Sequence, residues 1–347
     1  MDPERMKEMF RRNREHAVAA DRYMKGMEYR RAGRSGLLLS RFSLGMWHNF
    51  GSTDCYENMR DMVFGAFDSG ITAFDLANNY GPVAGAAERN FGSILANDLK
   101  SYRDEMCIST KAGFPAWRGP YGDGGGKKYL IASLDRSLKN LGLDYVDVYY
   151  HHRPDPKTPL EETCAAFKQI TDSGKALYIG ISNYGARARE AAEMLKEMKV
   201  PIVLNQLQYS VLDRTPETDG SFETAKDCGV GIAVYSPLAQ GLLTDKYLKG
   251  VPEDSRMSRD ASLKRSVLTE QERAKIADLD KIAKGRGQSL AQMALSWVLR
   301  KEEVATVILG ASRREQILDN LTHIDTEFTD AELAAIDRAS SDKKENQ

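Results

Sequence analysis

Eight short apolar runs alternate with longer amphipathic segments along the chain, and this alternation restricts the fold more than any other feature. The runs begin at Phe42 (FSLGMW), Ala73 (AFDLAN), Cys107 (CISTKAG), Val146 (VDVYYHH), Ala176 (ALYIGISN), Ile202 (IVLNQLQYS), Gly231 (GIAVYSPL) and Thr306 (TVILGA). Between them, NMRDMVFGAFDSG, KYLIASLDRSLKNLGL and PLEETCAAFKQITDSG repeat apolar residues every three or four positions and close near a glycine, the signature of amphipathic helices. Strand and helix in strict alternation imply parallel strands joined by right-handed crossovers. Eight such units predict an α/β protein of the (β/α)8 TIM-barrel class, with an open doubly wound sheet as the competing architecture.

The rival sheet binds dinucleotides through a GxGxxG turn, and no such pattern occurs. Gly122 and Gly124 are followed by Lys127 where the third glycine belongs. The same stretch fails as a P-loop, with Tyr121 in place of the first glycine and Lys128 in place of Ser or Thr. GPYGDGGGKKY therefore reads as a loop after the third strand, either a flexible one at the barrel mouth or a plain surface loop.

Ahead of the first barrel strand, EYRRAGRSGLLLSRF predicts two short strands around Ser35 and Gly36, a hairpin that plugs the bottom of the barrel. Residues 1–26 form a charged extension, read as a helix with Met6, Met9 and Phe10 on one side, either a solvated tail or an oligomer arm. Residues 27–341 are read as a single barrel domain with extra C-terminal helices, and 342–347 as a frayed tail. The stretch from Gln240 to Leu268 is too long for an ordinary connection and reads as a lid or binding loop.

The chain has 347 residues, 41% hydrophobic and 29% charged, enough apolar surface for a large core. A formal net charge of −1, with Lys and Arg spread throughout, provides no global field for nucleic acid or an acidic membrane. The 4 cysteines (Cys55, Cys107, Cys164, Cys228) include no CxxC pair, which favours free thiols in a reducing compartment over a disulfide scaffold or zinc site. No signal-like or membrane-spanning apolar run is found, so a soluble cytoplasmic protein is expected.

The carboxyl ends of barrel strands form the functional face. Read in order they carry Trp47 and His48; Asp75 and then Tyr80; Lys111; His151 and His152; Ser182 and Asn183; Gln206; Tyr235 and Ser236; Gly310 and Ser312. Asp, Tyr, Lys and His from three consecutive ends suit proton transfer. A phenol with a pKa of about 10 exchanges protons poorly near neutrality, and lowering it by about 3 units takes roughly 4 kcal/mol. A lysine ammonium about 4 Å away, at an effective dielectric of about 20, supplies that much. On this argument Asp75 tunes Lys111, which lowers the pKa of Tyr80. A metal-dependent hydrolase using His151, His152 and Asp155 is a weaker alternative, because adjacent strand residues point to opposite faces.

The stretches FDLANNYG, ISTKAG, VDVYYHHRPD, GKALYIGISNYG, NQLQYS, YSPLAQGLLTDKY, GVPEDSR and ILGASRREQILDN, in this order, make the chain resemble an aldo-keto reductase from Glu28 to about residue 340. Within that family it most resembles the branch of bacterial L-glyceraldehyde 3-phosphate reductases and potassium-channel β subunits, through LGMWHNFG, DLANNYGP, AGFPAWRGPYG and SPLAQGLLTDKYLKGVPEDSRM. The resemblance implies a catalytic tetrad of Asp75, Tyr80, Lys111 and His152. It implies NADPH bound in extended form over the barrel mouth and a small aldehyde substrate such as glyceraldehyde 3-phosphate or methylglyoxal.

By the same resemblance Ser182, Asn183 and Gln206 hold the nicotinamide carboxamide, and Tyr235 stacks on its ring, with Gly45 and Trp47 also at the cofactor. Ser236, Pro237, Leu238, Gln240 and Gly241 line the pyrophosphate path, with Lys246 and Arg256 as cationic contacts. Gly310, Ser312, Gln316, Asp319 and Asn320 enclose the adenosine end, where Arg313 or Arg314 meets a 2′-phosphate. Trp47 and Trp117 are candidate walls of the substrate pocket, and Arg118, Lys127 or Arg153 candidate contacts for a substrate phosphate. No metal is expected. Relatives also imply a tetramer or octamer, and a second reading in which the chain is a cofactor-sensing regulatory subunit.

Overall fold

The computed structural model describes residues 17–247 and 268–341. β1 (Tyr29–Arg31) and β2 (Leu38–Ser40) pair antiparallel, and their turn contains Ser35 and Gly36 as the sequence predicts. Ser35 Oγ closes the turn by donating to Ala32 O at 2.7 Å.

Eight further strands form the closed barrel: β3 (Phe42–Gly45), β4 (Ala73–Asp75), β5 (Cys107–Ala112), β6 (Val146–His151), β7 (Ala176–Ser182), β8 (Ile202–Gln208), β9 (Gly231–Tyr235) and β10 (Val304–Leu309). Every pairing is parallel, and β10 closes the ring by pairing both β9 and β3. Each apolar run of the sequence thus becomes one barrel strand. The runs are continuous because such strands are covered on both faces; every residue of β5, β6 and β10 is buried.

The helices α1 (Tyr56–Asp68), α2 (Ala86–Ile94), α3 (Lys127–Leu141), α4 (Leu160–Asp172), α5 (Ala188–Glu197) and α6 (Ser221–Cys228) follow β3 to β8 in turn. α3 ends where Gly142 turns left-handed at φ 68° and its N–H reaches Leu138 O, a conformation open to glycine at little cost. Beyond β9 lie α7 (Glu270–Gly285) and α8 (Leu290–Leu299), and beyond β10 lie α9 (Arg314–Asn320) and α10 (Asp330–Ser340), so the C-terminal half carries the expected extra helices. Capping boxes start two of them, Ser289 with Gln292 at α8 and Thr329 with Glu332 at α10.

The hairpin seals the lower end of the barrel. Ala32 and Leu39 share a buried cluster with Ala73, Cys107, Val148, Val203, Ala233 and Ala305, which lie at or near the amino ends of their strands. Arg30 fastens the hairpin by donating to Leu299 O at 2.9 Å and Val304 O at 3.1 Å.

The described part of the N-terminal extension is tied to the barrel as well. Ala19 N donates to Asp68 Oδ1 at 2.8 Å, and the Arg22 guanidinium pairs with Glu105 while lying 5.1 Å from the Phe67 ring centre. Met6, Met9, Phe10, the tail from 342 and residues 248–267 of the long loop, including Arg256, lie outside the described residues. No described helix is long and apolar enough to cross a membrane.

Candidate active site

Asp75 is the last residue of β4, and Lys111 lies one residue before the end of β5, its neighbour in the barrel. Lys111 is fully buried, and its Nζ donates to Asp75 Oδ2 at 2.6 Å, to Leu76 O at 2.6 Å and to the Tyr80 hydroxyl at 3.3 Å. Tyr80 reaches this position on a tight bend. Asn78 N bonds to Lys111 O at 2.9 Å, Tyr80 N bonds to Ala77 O at 3.1 Å, and Gly81 leaves in the left-handed region at φ 95°. The carboxylate, ammonium and phenol singled out in the sequence therefore form one connected chain.

The far oxygen of Asp75 is also occupied. Ser109 Oγ donates to Asp75 Oδ1 at 3.0 Å, and Gln206 Nε2 donates to the same oxygen at 2.9 Å from across the lumen.

The sign of the expected effect on Tyr80 is reversed. Burial holds the phenol well above its ordinary pKa, and repulsion by Asp75 and Tyr235 adds to this. Lys111 opposes the shift only across 3.3 Å, with its charge already met by Asp75 at 2.6 Å. Burial likewise pulls Lys111 below its ordinary pKa, against the pull of Asp75. The site as built keeps Tyr80 protonated.

His152 follows β6 at the mouth, where its N–H continues the ladder to Ala112 O at 2.9 Å. Its ring lies 5.9 Å from that of Tyr80 and 4.7 Å from that of Phe114, centre to centre. Burial, then the charge of Lys111, keeps its imidazole well below the ordinary histidine pKa. His151 faces the helix layer instead, with Nδ1 bonded to the Tyr184 hydroxyl at 2.6 Å and its ring 6.3 Å from Phe167. Among the described residues no cluster of three His, Cys, Asp or Glu is placed to hold a metal ion.

The remaining predicted residues form an arc around the mouth. Ser182 is buried, Asn183 Nδ2 donates to His152 O at 3.0 Å, and the Tyr235 hydroxyl donates to Asn183 Oδ1 at 2.7 Å. Ser236 (φ 52°), Ala239 (φ 47°) and Gln240 (φ 58°) all hold left-handed backbone, leading through Pro237 and Leu238 to Gly241. Lys246 is exposed on the following turn. Gly45 ends β3 against Ile308, and Trp47 is exposed beside His48. Beyond β10, Gly310 and Ser312 are exposed, Ser312 Oγ and N both donate to Gln316 Oε1, Asp319 is exposed and Asn320 is buried. Arg314 is bound to Asp61 at 3.2 Å and packs over Gly65, whereas Arg313 has, among the described residues, only Glu315 at 3.9 Å.

Of the candidate pocket residues, Trp117 packs in the loop after β5 against Tyr129 at 5.0 Å, with Arg136 4.0 Å from its ring centre. Arg153 is spent on Gly113 O and Asp123. Arg118 and Lys127 are exposed.

Sequence reasoning overlooked Ser109, Asn78, Tyr129 and Phe114. Ser109 was within reach, since it precedes Lys111 by two strand positions and so shares its face. The other three connect through a loop: Asn78 Nδ2 donates to the Tyr129 hydroxyl at 3.0 Å, which donates to Phe114 O at 2.6 Å. Local pattern carries no signal of that link.

A closed (β/α)8 barrel with an Asp-Lys-Tyr chain and a histidine at its mouth matches the Aldo/keto reductase family over residues 41–341, and the chain belongs to that family of oxidoreductases. It is 50% identical to the L-glyceraldehyde 3-phosphate reductase of Escherichia coli O157:H7 over 326 residues, which cover 92% of this chain and 94% of that one. The protein of the same name from Escherichia coli K12 is 49% identical over 326 residues, with the same 92% and 94% coverage. A protein described as a voltage-gated potassium channel subunit beta from Schizosaccharomyces pombe is 38% identical over 314 residues, covering 88% of this chain and 90% of that one.

Proposed function

We propose that the protein reduces small aldehydes to alcohols with NADPH, with glyceraldehyde 3-phosphate and methylglyoxal as the substrate types. Asp75, Tyr80, Lys111 and His152 are its catalytic residues. The observation that carries this reading is the contact of Lys111 Nζ with both Asp75 and the Tyr80 hydroxyl at the open end of the barrel.

Tyr80, kept protonated by burial, is the acid that gives its hydroxyl proton to the substrate oxygen as negative charge develops there. Lys111, held in place by Asp75, stabilises the phenolate that remains. His152, held neutral, donates an N–H hydrogen bond to the same oxygen. When bound, NADPH supplies the hydride that the carbonyl carbon takes up.

The residues at the mouth suit that cofactor. Asn183 pins the Tyr235 ring through its hydroxyl, offering a fixed flat surface for stacking. Three non-glycine residues in left-handed backbone at Ser236, Ala239 and Gln240 mark a strained turn of the kind kept at binding sites, and Gln240 Oε1 is buried without a partner among the described residues. Arg313 is the arginine left available for a 2′-phosphate, since Arg314 is engaged by Asp61. The preference for NADPH, a cytoplasmic location and a tetramer or octamer belong to the same proposal.

Assays of NADPH oxidation with both aldehydes test it. Tyr80→Phe should bind NADPH normally by fluorescence titration and lose at least about 100-fold in kcat, the scale of a positioned proton donor. Normal turnover by this variant sinks the assignment. The similarity to a channel β subunit supports a second reading, a cofactor-sensing subunit, which slow turnover by the unaltered protein with NADPH retained through gel filtration would favour.

A further inference from the structure

We propose that Phe114, locked in place by Arg153, is the positioning residue that sets the orientation of the His152 imidazole. The inference rests on the proton-transfer role given to His152 above.

A histidine at a reaction centre is usually oriented by a partner on its second ring nitrogen. His152 has none there: Nδ1 is buried and finds no protein hydrogen-bond partner among the described residues. Ring packing must therefore fix it. Two aromatic rings pack against it edge to face, Tyr80 at 71° and Phe114 at 86°, and Phe114 is the nearer at 4.7 Å. Tyr80 belongs to the reacting chain, which leaves Phe114 as the independent buttress.

Phe114 is itself restrained from several directions. Its carbonyl accepts from the Tyr129 hydroxyl at 2.6 Å, and the carbonyl of Gly113 accepts from Arg153 Nε at 2.7 Å. The Arg153 guanidinium lies 4.3 Å from the Phe114 ring centre and bonds both oxygens of Asp123, at 3.0 and 3.1 Å, in the glycine-rich loop. Gly113, at φ 152°, lets the chain pass so close to His152 that an added Cβ would lie 3.1 Å from the His152 Cβ. Tyr129 also accepts from Asn78, two residues before Tyr80, so one hydroxyl ties the support of His152 to the bend that carries the phenol.

The test is a double-mutant cycle on kcat, with NADPH dissociation constants and melting temperatures measured for each variant. Phe114→Leu should lower kcat at least about ten-fold, part of the roughly 10²–10⁴ that a positioned proton-transfer group contributes, with NADPH binding unchanged. Phe114→Tyr should restore most of the rate, and Arg153→Met should give a smaller loss of the same kind. In a His152→Ala background, Phe114→Leu and Arg153→Met should cost nothing further, because their effect runs through the missing ring. Equal fold losses in both backgrounds, or normal kcat for Phe114→Leu beside an impaired His152→Ala, would overturn the proposal alone. Unchanged kcat for His152→Ala would overturn the role of His152 and the proposal with it.

Discussion

Gln206 reaches across the barrel lumen to donate to Asp75 Oδ1 at 2.9 Å, joining β8 to β4 on the opposite side of the ring. With Ser109 on the same oxygen, the carboxylate keeps two donors even without Lys111.

That arrangement makes the Asp75–Lys111 pair asymmetric. Asp75→Asn takes the compensating charge from a buried ammonium that also bonds Leu76 O and the Tyr80 hydroxyl, and should cost roughly 3–5 kcal/mol of stability. Lys111→Met removes the charge that needs cover and should cost clearly less, although both variants lose turnover. Urea unfolding midpoints measure the difference; equal losses would contradict this account.

The raised pKa of Tyr80 fixes the shape of the pH profile. A proton donor works while protonated, so kcat/KM for aldehyde reduction should stay level through neutrality and fall only beyond the ordinary tyrosine value of 10.0. With His152 well below the ordinary 6.5, no step is expected near that pH either. A rate midpoint near pH 7 would restore the opposite view, that Lys111 lowers the phenol.

His151 makes the fold acid-sensitive. Burial lowers its pKa from 6.5 to about 4, so between those values the unfolded chain takes up a proton that the folded chain refuses. The stability it contributes is present above the unfolded value and is lost as pH falls toward the folded one. His151→Gln should shrink the difference in unfolding free energy between about pH 7.5 and about pH 5 by about 2 kcal/mol. An unchanged difference would show that other groups govern acid unfolding.

The two neighbouring arginines at α9 should separate cleanly. Arg313→Ala should weaken NADPH binding by roughly 10–100-fold, the worth of one charge-assisted contact, and leave NADH binding unchanged. Arg314→Ala, which removes a side chain bound to Asp61, should alter neither by much. Fluorescence titration with both cofactors measures this, and a loss of NADH affinity equal to that of NADPH would rule out a 2′-phosphate contact.

The barrel was legible because its strands are buried on both faces and so appear as unbroken apolar runs, each ending in polar residues that a core has no use for. Asp75 and Lys111 declare themselves in this way, and strand alternation turns His151 and His152 to opposite faces, but the choice of His152 between them came from the family resemblance. What the sequence could not show depends on distance across the structure. The Gln206 contact with Asp75 spans the lumen, and no local spacing encodes it. The pKa of Tyr80 was read with the wrong sign because burial is a property of the assembled barrel, and here it outweighs a neighbouring charge that Asp75 has already partly cancelled.

The hairpin beneath the barrel has a consequence for traffic. With Ala32 and Leu39 packed among the amino ends of the strands and Arg30 fastened to Leu299 and Val304, the barrel is a cul-de-sac. Whatever enters at the rim must leave by the same doorway, so each departure has to clear the threshold before the next arrival.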